Sequence, residues 1–306
     1  MSIAKAIRTR REQLGINETD VALLKNRYTD MALTTLCSTD QLAAHLTEWR
    51  IFDCRHDLMK PELGAQLYRE AHIPGALFAS LEHDLSAPKT GKNGRHPLPA
   101  PEVFVAWLGR QGVRPEDQIV CYDAGNGSMA ARLWWMLRWM GHSSVAVLDG
   151  GLAKWVKEGR PVDAVVPQPK STAYPARKPS GTLSAQDVQA NLKQLYLLDA
   201  RAPARYRGEQ EPIDPVAGHI PGAKNRFNMD NVLPDGTFKS PAELKAAFQD
   251  VLKGKQPEDV VHYCGSGVSA CHNLLAMEIA GLPGGKLYPG SWSEWIADPA
   301  RPRGKA

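Results

Sequence analysis

The chain has 306 residues, 43% of them apolar and 23% charged, and its 37 basic side chains against 33 acidic ones leave a formal net charge of +4. At roughly 100–200 residues per domain, that length suits two domains with enough apolar material for a core in each, and the near balance of charge excludes an acidic disordered chain or a surface built for polyanions. The apolar run at residues 133–137 is bounded by Arg132 and Arg138, far short of the roughly 18 apolar residues of a membrane span.

Residues 1–33 differ in character from the rest of the chain. Lys5, Arg8, Arg10 and Arg11 are opposed by Glu12, Glu18 and Asp20, and the apolar stretch of an export signal is missing. This segment reads as an N-terminal extension, with Met31 as an alternative translation start. Residues 34–158 then read as a first domain. Ser38-Thr39-Asp40-Gln41 is a helix start, because the serine and the glutamine can satisfy free amides of the first turn. Apolar, β-rich runs at residues 49–53, 119–122 and 145–148 read as strands. In His72-Ile73-Pro74-Gly75-Ala76, proline and glycine take the two central positions of a type II turn.

Residues 159–181 contain five prolines (Pro161, Pro167, Pro169, Pro175, Pro179) and read as a stiff, extended linker. Beyond it, residues 182–306 repeat the plan of the first half. Asp53-Cys54-Arg55 returns as Asp199-Ala200-Arg201, the His-Ile-Pro-Gly-Ala turn returns at residues 219–223, residues 119–123 answer to residues 260–264, and residues 150–155 to residues 290–295. A second helix start lies at Ser240-Pro241-Ala242-Glu243. Four matches in one order, at offsets between 140 and 147 residues, describe a duplicated domain rather than a short-period repeat. Strands alternating with helical segments in each half predict an α/β fold, a parallel sheet flanked by helices, made twice.

The chemistry concentrates in the second half. The five cysteines (Cys37, Cys54, Cys121, Cys264, Cys271) are odd in number and include no Cys-x-x-Cys pair. Neither a disulfide framework nor a zinc site is indicated, and a reducing, cytoplasmic compartment fits. The apolar strand at residues 260–263 runs into Cys264-Gly265-Ser266-Gly267-Val268-Ser269-Ala270, and apolar positions at Leu274, Leu275, Ala276 and Ile279 then describe a helix closed by Gly281. A thiol at the carboxyl end of a parallel strand and the mouth of a helix lies where open α/β sheets bind ligands. Amides of the glycine-rich loop and the helix dipole favour a thiolate and an anion there. An isolated cysteine before glycines is commonly a packed small hydrophobe; strand, cysteine, Gly-x-Gly and helix start together favour a nucleophile. Two chemistries suit such a loop. A cysteine phosphatase needs an arginine after Cys-x5 to clamp phosphate, and that position is Ala270. Attack of the thiolate on sulfur needs no such clamp.

The loop at residues 264–270, both His-Ile-Pro-Gly-Ala turns and Gly290-Ser291-Trp292-Ser293-Glu294-Trp295 resemble tandem rhodanese-domain sulfurtransferases, over about residues 35–297. The loop is most similar to the 3-mercaptopyruvate branch, which carries Cys-Gly-Ser-Gly-Val-Thr-Ala, with Ser269 in place of threonine. The resemblance implies that Cys264 accepts sulfur as a persulfide, that Gly265, Gly267, Val268, Ser269 and Ala270 hold it through their amides, and that Ser266 lies beside the substrate carbonyl. It offers His72 as a proton relay and Arg205 as the cation that meets the donor's acidic group. One departure is that the branch's Glu-Pro-Arg becomes Glu211-Pro212-Ile213-Asp214, removing a second arginine. The expected reaction moves sulfur from 3-mercaptopyruvate to a thiol such as reduced thioredoxin, or to cyanide. Thiosulfate is the alternative donor. No metal or organic cofactor, no nucleic acid and no membrane are expected as partners, and the chain is expected to work as a monomer. Asp123, standing where the second half has Cys264, predicts a catalytically silent first half that walls the cleft. Trp134, Trp135 and Trp139 are expected in core and interdomain packing.

Overall fold

The computed structural model describes residues 32–305; the reading of an extension before residue 34 falls almost wholly outside them. Strands β1 (Leu36–Cys37), β2 (Arg50–Asp53), β3 (Leu77–Phe78), β4 (Ile119–Tyr122) and β5 (Val145–Leu148) form one sheet in the order β1-β5-β4-β2-β3, every pairing parallel. In the second half β6 (Tyr196–Asp199), β7 (Lys224–Asn225), β8 (Val260–Tyr263) and β9 (Lys286–Leu287) pair in the order β7-β6-β8-β9, again all parallel. A parallel bridge from Thr182 to Leu287 takes the place of β1. Parallel neighbours require crossovers, and these are supplied by α1 (Thr39–Ala44), α2 (Leu63–Glu70), α3 (Pro101–Arg110), α4 (Ala130–Trp139) and α5 (Gly151–Lys157), then by α6 (Ala185–Ala190), α7 (Pro203–Arg207), α8 (Pro241–Leu252), α9 (Ser269–Ile279) and α10 (Ser291–Trp295).

Local chemistry explains the element starts. The Ser38 hydroxyl accepts from the Gln41 amide while the Gln41 side chain accepts from the Ser38 amide, and Ser240 with Glu243 repeats this at α8. Both predicted type II turns form: the Ala76 amide donates to Ile73 and the Ala223 amide to Ile220, with Gly75 at φ 79° and Gly222 at φ 84°. The polar frame is duplicated too. Arg55 forks onto Asp53 as Arg201 forks onto Asp199, and each pair anchors the end of its sheet from a fully buried carboxylate.

The halves share a core. Helices α4 and α9 pack against one another, and Leu133, Trp134 and Met136 belong to the same buried cluster as Leu274, Leu275 and Met277. Trp134 and Trp135 are buried there and Trp139 packs against them, as expected. The linker does not hang free: Asp163 pairs backbone to backbone with His72, and the Thr172 amide donates to Gly109. Among the described residues no helix is long and apolar enough to cross a membrane.

Candidate active site

Strand β8 delivers Cys264 to the carboxyl end of the second sheet, and α9 starts five residues later. The loop between them is held from outside. The Trp292 and Ser293 amides donate to the carbonyls of Cys264 and Gly265, and the Cys264 amide donates to Ser291 Oγ at 3.1 Å. Gly267 has φ 77°, and a methyl group built on it would lie 2.3 Å from the Pro289 carbonyl oxygen, so only glycine lets the loop close here. The closed loop aims the Gly267 amide at Cys264 Sγ, 3.1 Å away. With Cys264 only 2% exposed and the 11-residue α9 pointing its amino end at the loop, a negative sulfur there meets the Gly267 amide and the positive end of a helix dipole. Val268 is the N-cap of α9, Ser269 its first residue and Ala270 is buried under the loop. Cys271 is packed: burial pushes its thiol up to about 12, and its Sγ donates to the Gly267 carbonyl.

Ser266 is buried, and its hydroxyl lies 2.8 Å from Nδ1 of His96, a residue of the first half. His96 Nε2 lies 3.0 Å from Glu82 Oε1, and Lys89 Nζ holds the other Glu82 oxygen at 2.8 Å. Burial pushes His96 down to about 4, although Glu82 pulls the other way. Burial raises Glu82, but hydrogen bonds from Lys89 and His96 more than offset this and leave it below the usual carboxylate range. An ionised Glu82 can only accept, so a neutral His96 carries its proton on Nε2 and offers Nδ1 to the Ser266 hydroxyl. His56, Glu82 and His96 bring ligating atoms within 4.8 Å of one another. Both His96 nitrogens and both Glu82 oxygens already have protein partners, which suits a proton chain better than a metal.

The histidine brought to the loop is therefore His96 and not His72. The His72 ring stacks on Tyr68, Nδ1 faces the Tyr68 carbonyl at 2.6 Å and Nε2 the Val165 carbonyl at 3.1 Å, and the residue is fully buried. None of these contacts reaches residues 264–270. Its twin His219 stacks on Tyr206 and faces that residue's carbonyl in the same way. A geometry made twice, once in each half, belongs to the turn and not to proton transfer.

Arg205, on α7, is brought to the site. Its Nε and Nη2 are held by Glu211, with Nη2 also 3.1 Å from Asp214. The far side of the Asp214 carboxylate pairs with Arg95, again from the first half. Arg132, fully buried on α4, donates to the Gly267 carbonyl at 3.0 Å and to the Leu85 and His96 carbonyls, both at 3.1 Å. Burial pushes this guanidinium down and the neighbouring thiols Cys271 and Cys264 push it back up, so its charge lies close behind the loop. Glu82, Arg95, His96 and Arg132 carry no motif that marks them as site residues in the sequence. Three of them lie between the first His-Ile-Pro-Gly-Ala turn and α3, a stretch with no histidine in the corresponding part of the second half. That mismatch in an otherwise matched repeat is the signal that could have found His96.

The first-half loop shows what replaces the thiol. Asp123 Oδ1 accepts from the amides of Gly125 and Gly127 at 3.0 Å each, and Oδ2 from those of Met129 and Ala130 at 2.8 and 3.2 Å. The carboxylate thus occupies the cradle that the loop would offer an anion. A cavity of about 890 Å³ opens over this loop, between Met129 and Met229, but no cysteine lines it.

The model of the rhodanese-like domain matches residues 38–158 and 184–298. A Pseudomonas aeruginosa protein described as a probable 3-mercaptopyruvate sulfurtransferase is 48% identical over 283 residues, covering 89% of this chain and 98% of its own. The thiosulfate sulfurtransferase of Mus musculus is 39% identical, covering 75% of this chain and 78% of its own. Among solved structures, the Escherichia coli 3-mercaptopyruvate enzyme SseA superposes with a TM-score of 0.73 at 34% identity, over 85% of this chain and 99% of its own.

Proposed function

The chain belongs to the rhodanese-like family of sulfurtransferases, and on that premise we propose that Cys264 takes the sulfur of 3-mercaptopyruvate as a persulfide. The Cys264 thiolate bonds to the donor's sulfur, the carbon–sulfur bond breaks, and its electron pair is left on carbon as the enolate of pyruvate. One proton then completes pyruvate. Amides of residues 265–270 and the α9 dipole favour the negative sulfur throughout.

The observation that carries the choice of donor is the chain Ser266–His96–Glu82 beside the cysteine. Neutral His96, through the Ser266 hydroxyl that donates to its Nδ1, is suited to take the proton of the donor's thiol as the persulfide forms and to return it to the carbon of the enolate. Thiosulfate, the runner-up donor, releases sulfite without protonating carbon, so this chain would be idle. The persulfide then passes its outer sulfur to cyanide as thiocyanate, or to a dithiol such as reduced thioredoxin, which leaves as a disulfide with release of sulfide. Both halves of the site come from one chain, so a monomer suffices, and a reducing cytoplasm suits five free, buried cysteines.

Two measurements test this. Incubation with 3-mercaptopyruvate should add the mass of one sulfur atom to the intact chain and none to Cys264→Ser. Turnover of 3-mercaptopyruvate should exceed that of thiosulfate; the reverse order would make thiosulfate the donor.

A further inference from the structure

We propose that Arg95, carried by the half without the cysteine, is the second arm of the clamp that holds the donor's carboxylate, opposite Arg205. The inference rests on the donor class argued above. The catalytic half has Ile213 after Glu211-Pro212, followed by Asp214, so it brings one arginine and an acid beside it to the place where the resemblance implies two arginines. That acid recruits the missing cation from across the cleft: Asp214 Oδ1 pairs with Arg95 Nη1, and Asp214 Oδ2 lies 3.1 Å from Arg205 Nη2.

The layering of charge decides what these groups can do. The carboxylates lie at the back, with the Glu211 and Asp214 side chains only 4% and 2% exposed, while the Arg205 and Arg95 side chains are 17% and 25% exposed in front of them. Each guanidinium is tied by its rear nitrogens. Arg95 Nη2 and Arg205 Nη1 make no hydrogen bond among the described residues, and both converge on one point over Gly265. A methyl group built on Gly265 would lie 2.7 Å from Arg95 Nη2 and 3.7 Å from Arg205 Nη1. Any side chain at residue 265 would press on the arginines, so the glycine lets both guanidiniums close over the loop beside Cys264. Two arginines and two acids cancel, so an arriving carboxylate finds charge-assisted donors that are already oriented and not yet engaged. The Arg95 backbone is fixed independently, its amide donating to Ser293 Oγ at 3.0 Å, so the guanidinium can be changed without releasing the segment that carries it.

The test separates binding from chemistry. Arg95→Gln should raise KM for 3-mercaptopyruvate about tenfold to a hundredfold, the loss expected for one charged hydrogen-bonding arm, with kcat changed by no more than about threefold. Arg95→Lys, which keeps the charge but not the fork, should recover part of the loss. Mercaptoacetone, the same donor without its carboxylate, should be used equally well by the wild type and by Arg95→Gln. Pyruvate should slow alkylation of Cys264 by iodoacetamide in the wild type, and Arg95→Gln should need about tenfold more for equal protection. An unchanged KM, or an equal loss on both donors, overturns the clamp. If the wild type does not turn over 3-mercaptopyruvate, the donor is wrong and pyruvate protection decides the clamp: dependence on Arg95 upholds it, and indifference overturns it.

Discussion

The Ser266 hydroxyl has one protein partner among the described residues, His96 Nδ1, and this fixes what removing either residue should do. Ser266→Ala and His96→Asn should each lower kcat on 3-mercaptopyruvate by about 10²–10⁴, the usual range for a lost proton-transfer group, and leave turnover of thiosulfate within about threefold. Equal losses on both donors would show that the pair positions the loop instead. The acid limb follows from the same group. Burial holds His96 near 4, so it stays neutral through the neutral range, and protonation as pH falls toward 4 removes the acceptor at Nδ1. A pH–rate profile should be flat near about 6.5 and fall only in acid. Folding stability has the same sign: an unfolded histidine binds a proton first, so the contribution of this residue is complete above about 6.5 and declines as pH falls toward 4.

At the scale of elements, the two strand–loop–helix units show how one frame supports opposite outcomes. In the second half the Gly267 amide points at a sulfur; in the first, four loop amides are taken by Asp123. The aspartate is then structural, and Asp123→Ala should cost about 3 kcal/mol of stability, because four amides of the loop lose a charged acceptor together, while sulfur transfer by Cys264 persists. Chemical denaturation with a parallel activity assay checks this, and a loss of activity in the folded variant would mean that the first loop serves catalysis. The repeated strands, both capping boxes, both turns and the start of α9 are legible in the sequence because each is decided within a few residues: a serine with its glutamate, a proline before a glycine, an apolar run ending at Cys264. Arg95, His96 and Arg132 are not, because they reach the loop only after the halves dock. His72 misleads for the opposite reason. It belongs to a conspicuous local motif, and that motif is used up on its own turn.

For the molecule as a whole, Arg132 decides whether the halves work as one. From α4 its guanidinium ties the Gly267 carbonyl of one half to the Leu85 and His96 carbonyls of the other, so the amide cradle and the proton chain share a single anchor. A fully buried cation carries a desolvation cost, and here the carbonyls on Nη1 and Nη2 offset it only in part, since Nε has no partner among the described residues. Arg132→Met, which keeps much of the volume and drops the charge, leaves three carbonyls without this donor. It should lower stability by about 3 kcal/mol and Tm by on the order of 5–10 °C. Activity should fall further than the folded fraction does, since Gly267 and His96 lose their common reference. Removing the positive charge behind the loop should also slow alkylation of Cys264 by iodoacetamide at neutral pH, because the reacting sulfur loses a nearby cation. A variant with lowered Tm but wild-type alkylation and kcat would assign Arg132 to packing alone. Loss of all three would make the interface between the halves part of the active site, which explains why a half whose own loop is filled by Asp123 is retained beside the one that carries the cysteine.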